Sequence, residues 1–548
     1  MSIDVVIVGA GPTGLMLACE LALAGVRLVV LERLPEPSTE PKANGLLGQV
    51  VRVMDHRGLI DPPLPNSAYF MFGGLALDLG LLERSPVFAL PRTQRAIEQM
   101  LEERAAELGV RVRRGHELVG LSQDEDGVTL RTASTEGSEE MRARFVVGAD
   151  GAHSAMRKLA GIDFPGVHHD RMTVRSAHVA LPEGWVSPAP AFLPLRTEHG
   201  GFSYAPLPGQ PPLLTTTEWD QPEPAGPMTL AELGDSIRRV LGTAIPLAAP
   251  DGPGPHVLRR MTGGHTRVAS RYADRRVFLI GDAAHVFGAA GGGPGLNLGL
   301  QDAVNLGWKL ALAVRGDASG ALSAEGAYPS PELLDSYETE RRAAAADRMI
   351  VNVRAQAALI APGSDVTGLR DLVGELLTDP AVVSRLAHLT AGADVHYDMG
   401  PDSTHPVAGR FCPDLTVDTA TGPQRIAELT HAARPLLVDA TPSGAFAETL
   451  PGWTDRIDVV RAQPLDGLSA LLLRPDCYVA WASSTSRPGG AELSSLRDTV
   501  TRWFGAPSRP HELLLSDLGQ QSAQMFLGEE GLTGLPLEIL PQGDDTEV

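Results

Sequence analysis

Cysteine is nearly absent: Cys19, Cys412 and Cys477 are the only three in 548 residues, far apart and with no Cys-x-x-Cys pair. That excludes a disulfide framework, a dithiol redox centre and a thiolate zinc site, and it fits a reducing cytoplasm. The 15 histidines show no metal-ligand spacing, so no metal is expected. Positive charge is scarce as well. The chain carries 46 Lys and Arg against 67 Asp and Glu, a formal net charge of −21, which argues against nucleic acid or an anionic membrane as partner. No apolar run is a membrane span, and the apolar N-terminus is interrupted by Gly, Pro and Glu20 without signal-peptide flanks. There is no internal repeat or low-complexity tract, and no Ser-His-Asp or Cys-His pattern for nucleophilic catalysis.

What is present is a 43% apolar chain, too long for one core, which suggests two or three domains. Asp4-Val5-Val6-Ile7-Val8 reads as a parallel strand, followed by Gly9-Ala10-Gly11-Pro12-Thr13-Gly14 and a helical pattern from Leu15 to Leu21. A second strand, Arg27 to Leu31, ends at Glu32. Strand, GxGxxG turn, helix, strand and acid form the dinucleotide fingerprint in its required context. Gly9 permits the tight turn, Gly11 lets the backbone meet a pyrophosphate, Gly14 allows close helix–strand packing, and Glu32 would bond ribose hydroxyls. The bland alternative is a glycine turn in some other α/β sheet.

A matching half lies far along the chain. Arg276 to Ile280 reads as a buried strand, and it runs into GDAAHVFGAAGGGPGLNLGLQDAVNLGWKL from Gly281 to Leu310, with a helix from about Asn297. An acid at a strand end, a small-residue loop and a helix start suit a flat, phosphorylated ligand. Between the halves, Arg144 to Ser154 reads as a strand ending in Asp150-Gly151, then a helix with Arg157 and Lys158.

GxGxxG, then DG, then GD is an order that resembles the single-component (class A) FAD-dependent aromatic hydroxylases. The segments DAVNLGWKLA and RPDCYVAWA resemble the members that tailor aromatic polyketides, and the resemblance spans Ile3 to about Pro507. It implies an α/β chain with a Rossmann-like FAD-binding domain (1–175 and 265–395) and an inserted antiparallel β-sheet substrate domain (176–264). A C-terminal thioredoxin-like domain without CxxC (400–507) and a C-terminal tail (508–548) complete the expected organisation. The patterning agrees. A helix is expected at Thr93–Leu108, strands at Val174–Ala180, Gly201–Ala205 and Leu213–Trp219, and a helix at Leu230–Leu241. Later strands are expected at Pro435–Asp439, Asp458–Ala462, Ala470–Leu473 and Tyr478–Ala482, then a helix at Glu492–Trp503. Val438 to Pro442 occupies the loop where a redox pair would stand and has no Cys. Glu512 to Leu518 reads as either a short helix or part of a disordered end.

The resemblance also implies the chemistry. NADPH or NADH reduces FAD, oxygen adds, and a C4a-hydroperoxyflavin transfers OH to an electron-rich ring, while the protein orients the flavin and excludes water. Carried over residue by residue, Gly9, Gly11, Pro12 and Thr13 lie along the pyrophosphate, and Glu32 meets the adenosine ribose with Arg33 beside it. Gln94 contacts the flavin end and the backbone near Leu118 flanks adenine. Asp282 contacts the ribityl or pyrophosphate region, while Gly295, Leu296 and Asn297 meet the ring. Asp150 and Gly151 brace the fold and the nicotinamide approach, and His285 reads as a capping or core histidine or, alternatively, a catalytic one.

Three departures from the family pattern stand out: a loop between His285 and Asn297 one residue longer than usual, Ala290 and Pro294 within it in place of the usual Pro and Gln or similar residue, and Lys42 where many relatives carry Arg. Lys keeps the charge and loses the planar fork. The alternatives are neutral drift or a changed oxygenation outcome. For the substrate, Phe202, Tyr204, Trp219, Phe192 and Met228 are apolar candidates that equally suit ordinary core. His168, His169 or Arg410 could assist phenol deprotonation. No paired arginines offer a carboxylate clamp, which favours a neutral multi-ring phenol or quinone. The leading expectation is hydroxylation of a polycyclic aromatic small molecule by a monomer or homodimer. The alternatives are Baeyer–Villiger-type oxygenation or antibiotic inactivation, and a flavin-binding assembly subunit without turnover. A halogenase is disfavoured because all six Trp are isolated from one another and no WxWxIP occurs.

Overall fold

The computed structural model describes residues 3–40, 42–64, 66–168, 171–206, 209–222, 224–288, 294–318, 331–465 and 467–507. The expectations for His169, Ala290 and the tail from 508 lie outside these residues. Strand β1 (Ile3–Val8) is apolar on both faces, and Val5, Val6 and Ile7 have no exposed surface. Such continuous burial is what a parallel strand covered by helices on both sides requires. Helix α1 (Pro12–Leu23) starts with Pro at its first turn, where the missing N–H is not needed. It returns the chain to β2 (Leu28–Glu32), parallel to β1. A hairpin, β3 (Tyr69–Phe72) and β4 (Leu75–Asp78), stands apart from this sheet. Helix α2 (Gln94–Glu107) follows, N-capped by Thr93, and leads to β5 (Val112–Arg114) beside β2. The long strand β6 (Gly137–Gly148) pairs parallel with β1 on the other side.

The inserted sheet contains β7 (Met172–His178), β8 (Leu195–Thr197), β9 (Gly200–Ala205), β10 (Leu213–Trp219) and, after helix α3 (Leu230–Leu241), β11 (Leu258–Thr262). The order is β8-β9-β10-β7-β11, antiparallel throughout. Register assigns the faces. Phe202 pairs with Thr216, and Leu214 pairs with both Tyr204 and Ala177, so these residues share one side. That side packs on α3, where Phe202, Leu214, Leu233, Ile237 and Val240 form a core. The opposite side presents Gly201, Ser203, Thr215, Thr217, Trp219 and Val174.

The chain then rejoins the nucleotide sheet through β12 (Val277–Leu279), parallel to β6. Helix α4 (Gly295–Ala318) begins two residues earlier than patterning suggests. A π-helical stretch, Thr339–Ala346, turns Glu340 and Arg341 inward together and leads into α5 (Asp347–Ile360). Helices α6 (Ser364–Leu376) and α7 (Pro380–Ala391) follow. No helix among the described residues is long and apolar enough to cross a membrane.

The C-terminal unit is a four-stranded sheet, β13 (Leu436–Asp439), β14 (Asp458–Arg461), β15 (Ala470–Leu473) and β16 (Val479–Ser483), closed by α8 (Gly490–Phe504). Its order is β14-β13-β15-β16, with β13 parallel to β14 and antiparallel to β15. Buried charges join it to the nucleotide domain. Arg474 donates to Glu340 at 2.6 and 2.7 Å and to Asp476, and its guanidinium lies 5.1 Å from the Trp308 ring and 4.6 Å from the Trp503 ring. Asn305 donates to both Glu340 and Asp476, and Lys309 donates to Glu340 at 2.7 Å. Thus the two segments DAVNLGWKLA and RPDCYVAWA lock into each other across the junction. Arg57 adds a second buried tie, donating to Glu20 at 2.6 Å and to the Pro475 carbonyl at 2.6 Å.

Candidate cofactor and substrate site

The glycine turn after β1 has its three glycines for three different reasons. Gly9 has φ of +110°, in the region that favours glycine. A Cβ on Gly14 would lie 2.0 Å from the Gly9 carbonyl oxygen, so α1 can approach the strand only without one. A Cβ on Gly11 would meet nothing within 4 Å. Gly9 serves backbone geometry, Gly14 packing, and Gly11 keeps space open above the first turn of α1, whose N–H groups have no side-chain cap. Glu32 ends β2 with its carboxylate accepting from the Ala10 N–H at 2.8 Å and the Leu34 N–H at 2.9 Å. It therefore braces the turn and keeps lone pairs for a further donor.

The second half arrives at the same place. Thr13 is wedged between two glycines: a Cβ on Gly281 or on Gly299 would come within 3.0 or 2.7 Å of its Oγ1. This contact sets the first turn of α1 against the first turns of α4, so two positive helix ends converge. Asp282 opens into the cleft beside Gly295, whose Cβ would lie 3.1 Å from Asp282 Oδ1. Protein around that cleft raises the Asp282 carboxyl above its ordinary value, against the pull of His285 and Lys42. Lys42 is half-exposed and 3.9 Å from Glu40. Asn297 Oδ1 accepts from the Leu47 N–H at 3.1 Å, tying the 43–48 segment to α4, and Leu296 packs on the core. Pro294 accepts from the Leu298 N–H at 3.0 Å and so closes the first turn of α4.

Other sequence-predicted residues sit further out. Gln94 opens α2, with its N–H on the Ala43 carbonyl and its side chain engaged by Glu98 at 2.8 Å. The Leu118 side chain is buried core, while the neighbouring backbone N–H groups of Gly115 and His116 bond the carbonyls of Leu34 and Glu32. Arg33 is exposed beyond the end of β2. Asp150 accepts from the Met156 N–H at 3.0 Å and caps a helix, and Gly151 has φ of +81° in that turn. His285 is fully buried, with Nε2 2.7 Å from Asp302, a placement that matches its core reading.

Sequence reasoning missed the residues behind these. Asp302 also accepts from the Gly281 N–H and from Arg341 at 2.7 Å, and Arg341 continues to the Leu298 carbonyl and Tyr397. Burial pushes the Asp302 carboxyl up, but His285 and Arg341 outweigh it and hold it below the usual range. One buried carboxylate thus positions the GD turn and the start of α4 together. Its signal was available: Asp302, Asn305 and Lys309 recur at helical spacing in an apolar segment, a pattern that calls for internal partners.

A partly open cavity of about 120 Å³ adjoins Asn297. Its walls come from Leu47, Pro294, Leu298 and Gln301, from α5 between Arg348 and Ile360, from the end of α7, from Phe70 and Met71 on β3, and from Pro194. The wall contributed by α5 is about 18 Å long at 1.5 Å per residue. Two arginines clamp its far end: Arg370 donates to the Gly73 and Leu359 carbonyls at 2.6 and 2.8 Å, and Arg196 to the Ala361 and Gly363 carbonyls at 2.8 Å each. The hairpin turn at Gly73 has φ of +59°, and a Cβ there would strike Leu359 at 2.5 Å. Seven expectations are corrected here. Phe202 is buried without exposure under α3, and Tyr204 shares that side of the sheet, stacked edge-on against Trp185 at 5.3 Å. Both therefore face away from the cavity, as does Met228, and Phe192 is exposed. Trp219 lies on the opposite side of the sheet but does not line the cavity. His168 pairs with His265, Nδ1 to Nδ1 at 3.1 Å, on an exposed strand, and Arg410 bonds its own loop near the C-terminal unit; neither lines the cavity.

A parallel sheet with a glycine turn, an acid on the second strand, a second helix N-terminus and an adjoining cavity define a dinucleotide-binding protein with a neighbouring ligand site. Family comparison specifies it. Residues 2–351 match the FAD binding domain and residues 405–507 the aromatic-ring hydroxylase C-terminal domain, so the chain belongs to the FAD-dependent aromatic-ring hydroxylases. It is 39% identical over 530 residues, 93% of this chain and 100% of the relative, to a 12-dehydrotetracycline 5-monooxygenase/anhydrotetracycline 6-monooxygenase of Streptomyces rimosus. It is 37% identical over 511 residues, 92% of this chain and 99% of the relative, to a rifampicin monooxygenase of Streptomyces venezuelae. The solved anhydrotetracycline hydroxylase of Streptomyces rimosus superposes with a TM-score of 0.78 at 38% identity, covering 93% of this chain and 100% of that one. The chain is an FAD-dependent monooxygenase.

Proposed function

We propose that this protein hydroxylates a fused-ring aromatic or polyketide-derived small molecule with NADPH or NADH as reductant. The cavity carries the reading: its walls are mainly apolar, α5 runs along it for about 18 Å, and Asn297 at the start of α4 is one of its lining residues. When bound, FAD supplies oxygen activation after reduction by the nicotinamide. This chain's residues do the rest. Gly9, Gly11, Pro12 and Thr13 leave room and N–H donors for the pyrophosphate, and Glu32 holds the ribose with Arg33 alongside. Asp282 accepts from hydroxyls of the ribityl region, and Lys42 and Gln94 border the flavin end. The backbone near Leu118 flanks the adenine. Gly295, Leu296 and Asn297 present the positive end of α4 to the ring, where it favours added negative charge. The clamped hairpin walls part of the cavity through Phe70, Met71 and Gly74. The organisation 1–175 with 265–395, 176–264 and 400–507 fits this division of labour. The strand order of the last unit, with no Cys in its 438–442 loop, supports a thioredoxin-like domain without redox function.

The test is NAD(P)H oxidation by the purified yellow protein with a panel of polycyclic phenols, followed by mass spectrometry. Stimulated oxidation with a product one oxygen heavier is expected. Oxidation that no phenol stimulates, with peroxide as the sole product, would count against a phenol substrate and favour a non-oxygenase role. Structure determination of the product separates ring hydroxylation from Baeyer–Villiger insertion or antibiotic inactivation, since both add one oxygen.

A further inference from the structure

Arg348 and Asp394 are the one cationic and the one anionic side chain among the described residues that line the cavity. Arg348 Nε donates to Asp394 Oδ2 at 2.8 Å. The contact uses one edge of the guanidinium, so both Nη groups remain without a protein partner among the described residues, and the arginine side chain is 41% exposed. Asp394 Oδ1 and the neighbouring Thr390 Oγ1 are buried with no hydrogen bond. An acceptor left unpaired inside a protein is costly, and a ligand that brings a donor relieves that cost.

We propose that the Arg348–Asp394 pair recognises a neutral hydroxy-ketone edge of the fused-ring substrate and selects against carboxylated rings; this rests on the hydroxylase reading of the cavity. Donor and acceptor stand side by side in the pair. A ring carbonyl accepts from an Arg348 Nη while the adjacent hydroxyl donates to Asp394 Oδ1. A lone arginine would favour a carboxylate through its bidentate fork. Here Asp394 neutralises that charge and would face any bound carboxylate as a like charge, with no donor to satisfy Oδ1. Position adds a direction. Arg348 and Ile360 line opposite ends of the α5 wall, and Ile360 and the Pro194 carbonyl both lie beside Gly74 in the hairpin turn. The oxygenated edge is thereby held at the Arg348 end and the carbocyclic rings run along α5 toward the hairpin.

The experiment titrates the FAD-loaded enzyme with 1,8-dihydroxyanthraquinone and with anthraquinone-2-carboxylate, following the flavin absorbance change. Wild type is expected to bind the dihydroxy probe at least about tenfold more tightly, the worth of a charge-assisted hydrogen bond. Asp394→Asn, checked for unchanged FAD content and Tm, should shift the ratio by at least tenfold toward the carboxylate, because Arg348 is then unneutralised. Arg348→Met should lose the dihydroxy probe without gaining the carboxylate, a pattern that mere loosening of the wall would not produce. A wild type that binds the carboxylate as well as the dihydroxy probe, or an Asp394→Asn variant with an unchanged ratio, overturns the assignment. NADPH oxidation stimulated equally by both probes would overturn the pair's role and leave the hydroxylase intact. Binding of neither probe would overturn both.

Discussion

Replacing Arg474 by Met tests whether the C-terminal unit is a structural strut of the flavoprotein. The guanidinium is wholly buried and satisfies Glu340 and Asp476 together, with Trp308 and Trp503 stacked against it. Met matches its apolar stem and removes the charge. Two buried carboxylates then share one amine, Lys309, and one amide, Asn305. Burial, with the repulsion of Arg474 added, lowers the Lys309 ammonium to about 8 despite the attraction of Glu340. Breaking a buried pair on one side costs roughly 3–5 kcal/mol, a large share of the roughly 5–15 kcal/mol that a folded domain has. Urea unfolding of the FAD-loaded enzyme, read by tryptophan fluorescence at the junction and by flavin release, should show that loss in both signals at one midpoint. Removing the stranded charges as well, with Glu340→Gln and Asp476→Asn, should recover part of it. A loss under about 1 kcal/mol, or a triple variant no more stable than Arg474→Met alone, would refute the reasoning.

Three further outcomes follow from the same geometry. Gly11→Val should fold with apo stability within about 0.5 kcal/mol of wild type yet lose FAD affinity at least tenfold, whereas Gly14→Val should lose both, because its Cβ has a carbonyl oxygen 2.0 Å away; calorimetry of apo protein and FAD titration separate them. Burial raises the Glu340 carboxyl but Arg474 and Lys309 outweigh it and hold it well below the ordinary range. A carboxyl depressed in the folded state stabilises above its unfolded pKa, about 4.3, and that contribution fades as pH falls below it; the stability gap between wild type and Glu340→Gln should therefore shrink on acidification from about pH 5 to pH 3. Asp282 moves the other way, its carboxyl raised. FAD affinity should weaken on acidification starting above the usual carboxylate range, and Asp282→Asn should abolish that pH dependence in a fluorescence-quenching titration.

Local chemistry was enough to read the nucleotide half. Gly9, Gly11, Gly14 and Glu32 act within one strand–turn–helix–strand unit, so their roles follow from spacing, and the structure builds β1, α1 and β2 where the pattern put them. The strand Leu213–Trp219 and the helix Leu230–Leu241 were likewise legible from period alone. Period does not say which face meets which neighbour. Alternation along Gly200–Ala205 announces two sides, but only pairing with β10 and the packing of α3 turned Phe202 and Tyr204 onto α3 and Gly201 and Ser203 to the opposite side. The same limit hid Arg348 and Asp394. They are 46 residues apart in sequence, on α5 and in the segment after α7, and nothing in either neighbourhood marks them until the fold sets Nε 2.8 Å from Oδ2. The polar residues of the α4 segment stand between these cases: Asp302, Asn305 and Lys309 declare from spacing that partners must exist. Only the tertiary structure could supply His285, Arg341, Glu340 and Asp476, because burial makes pairing obligatory and distance in the chain leaves the partner open.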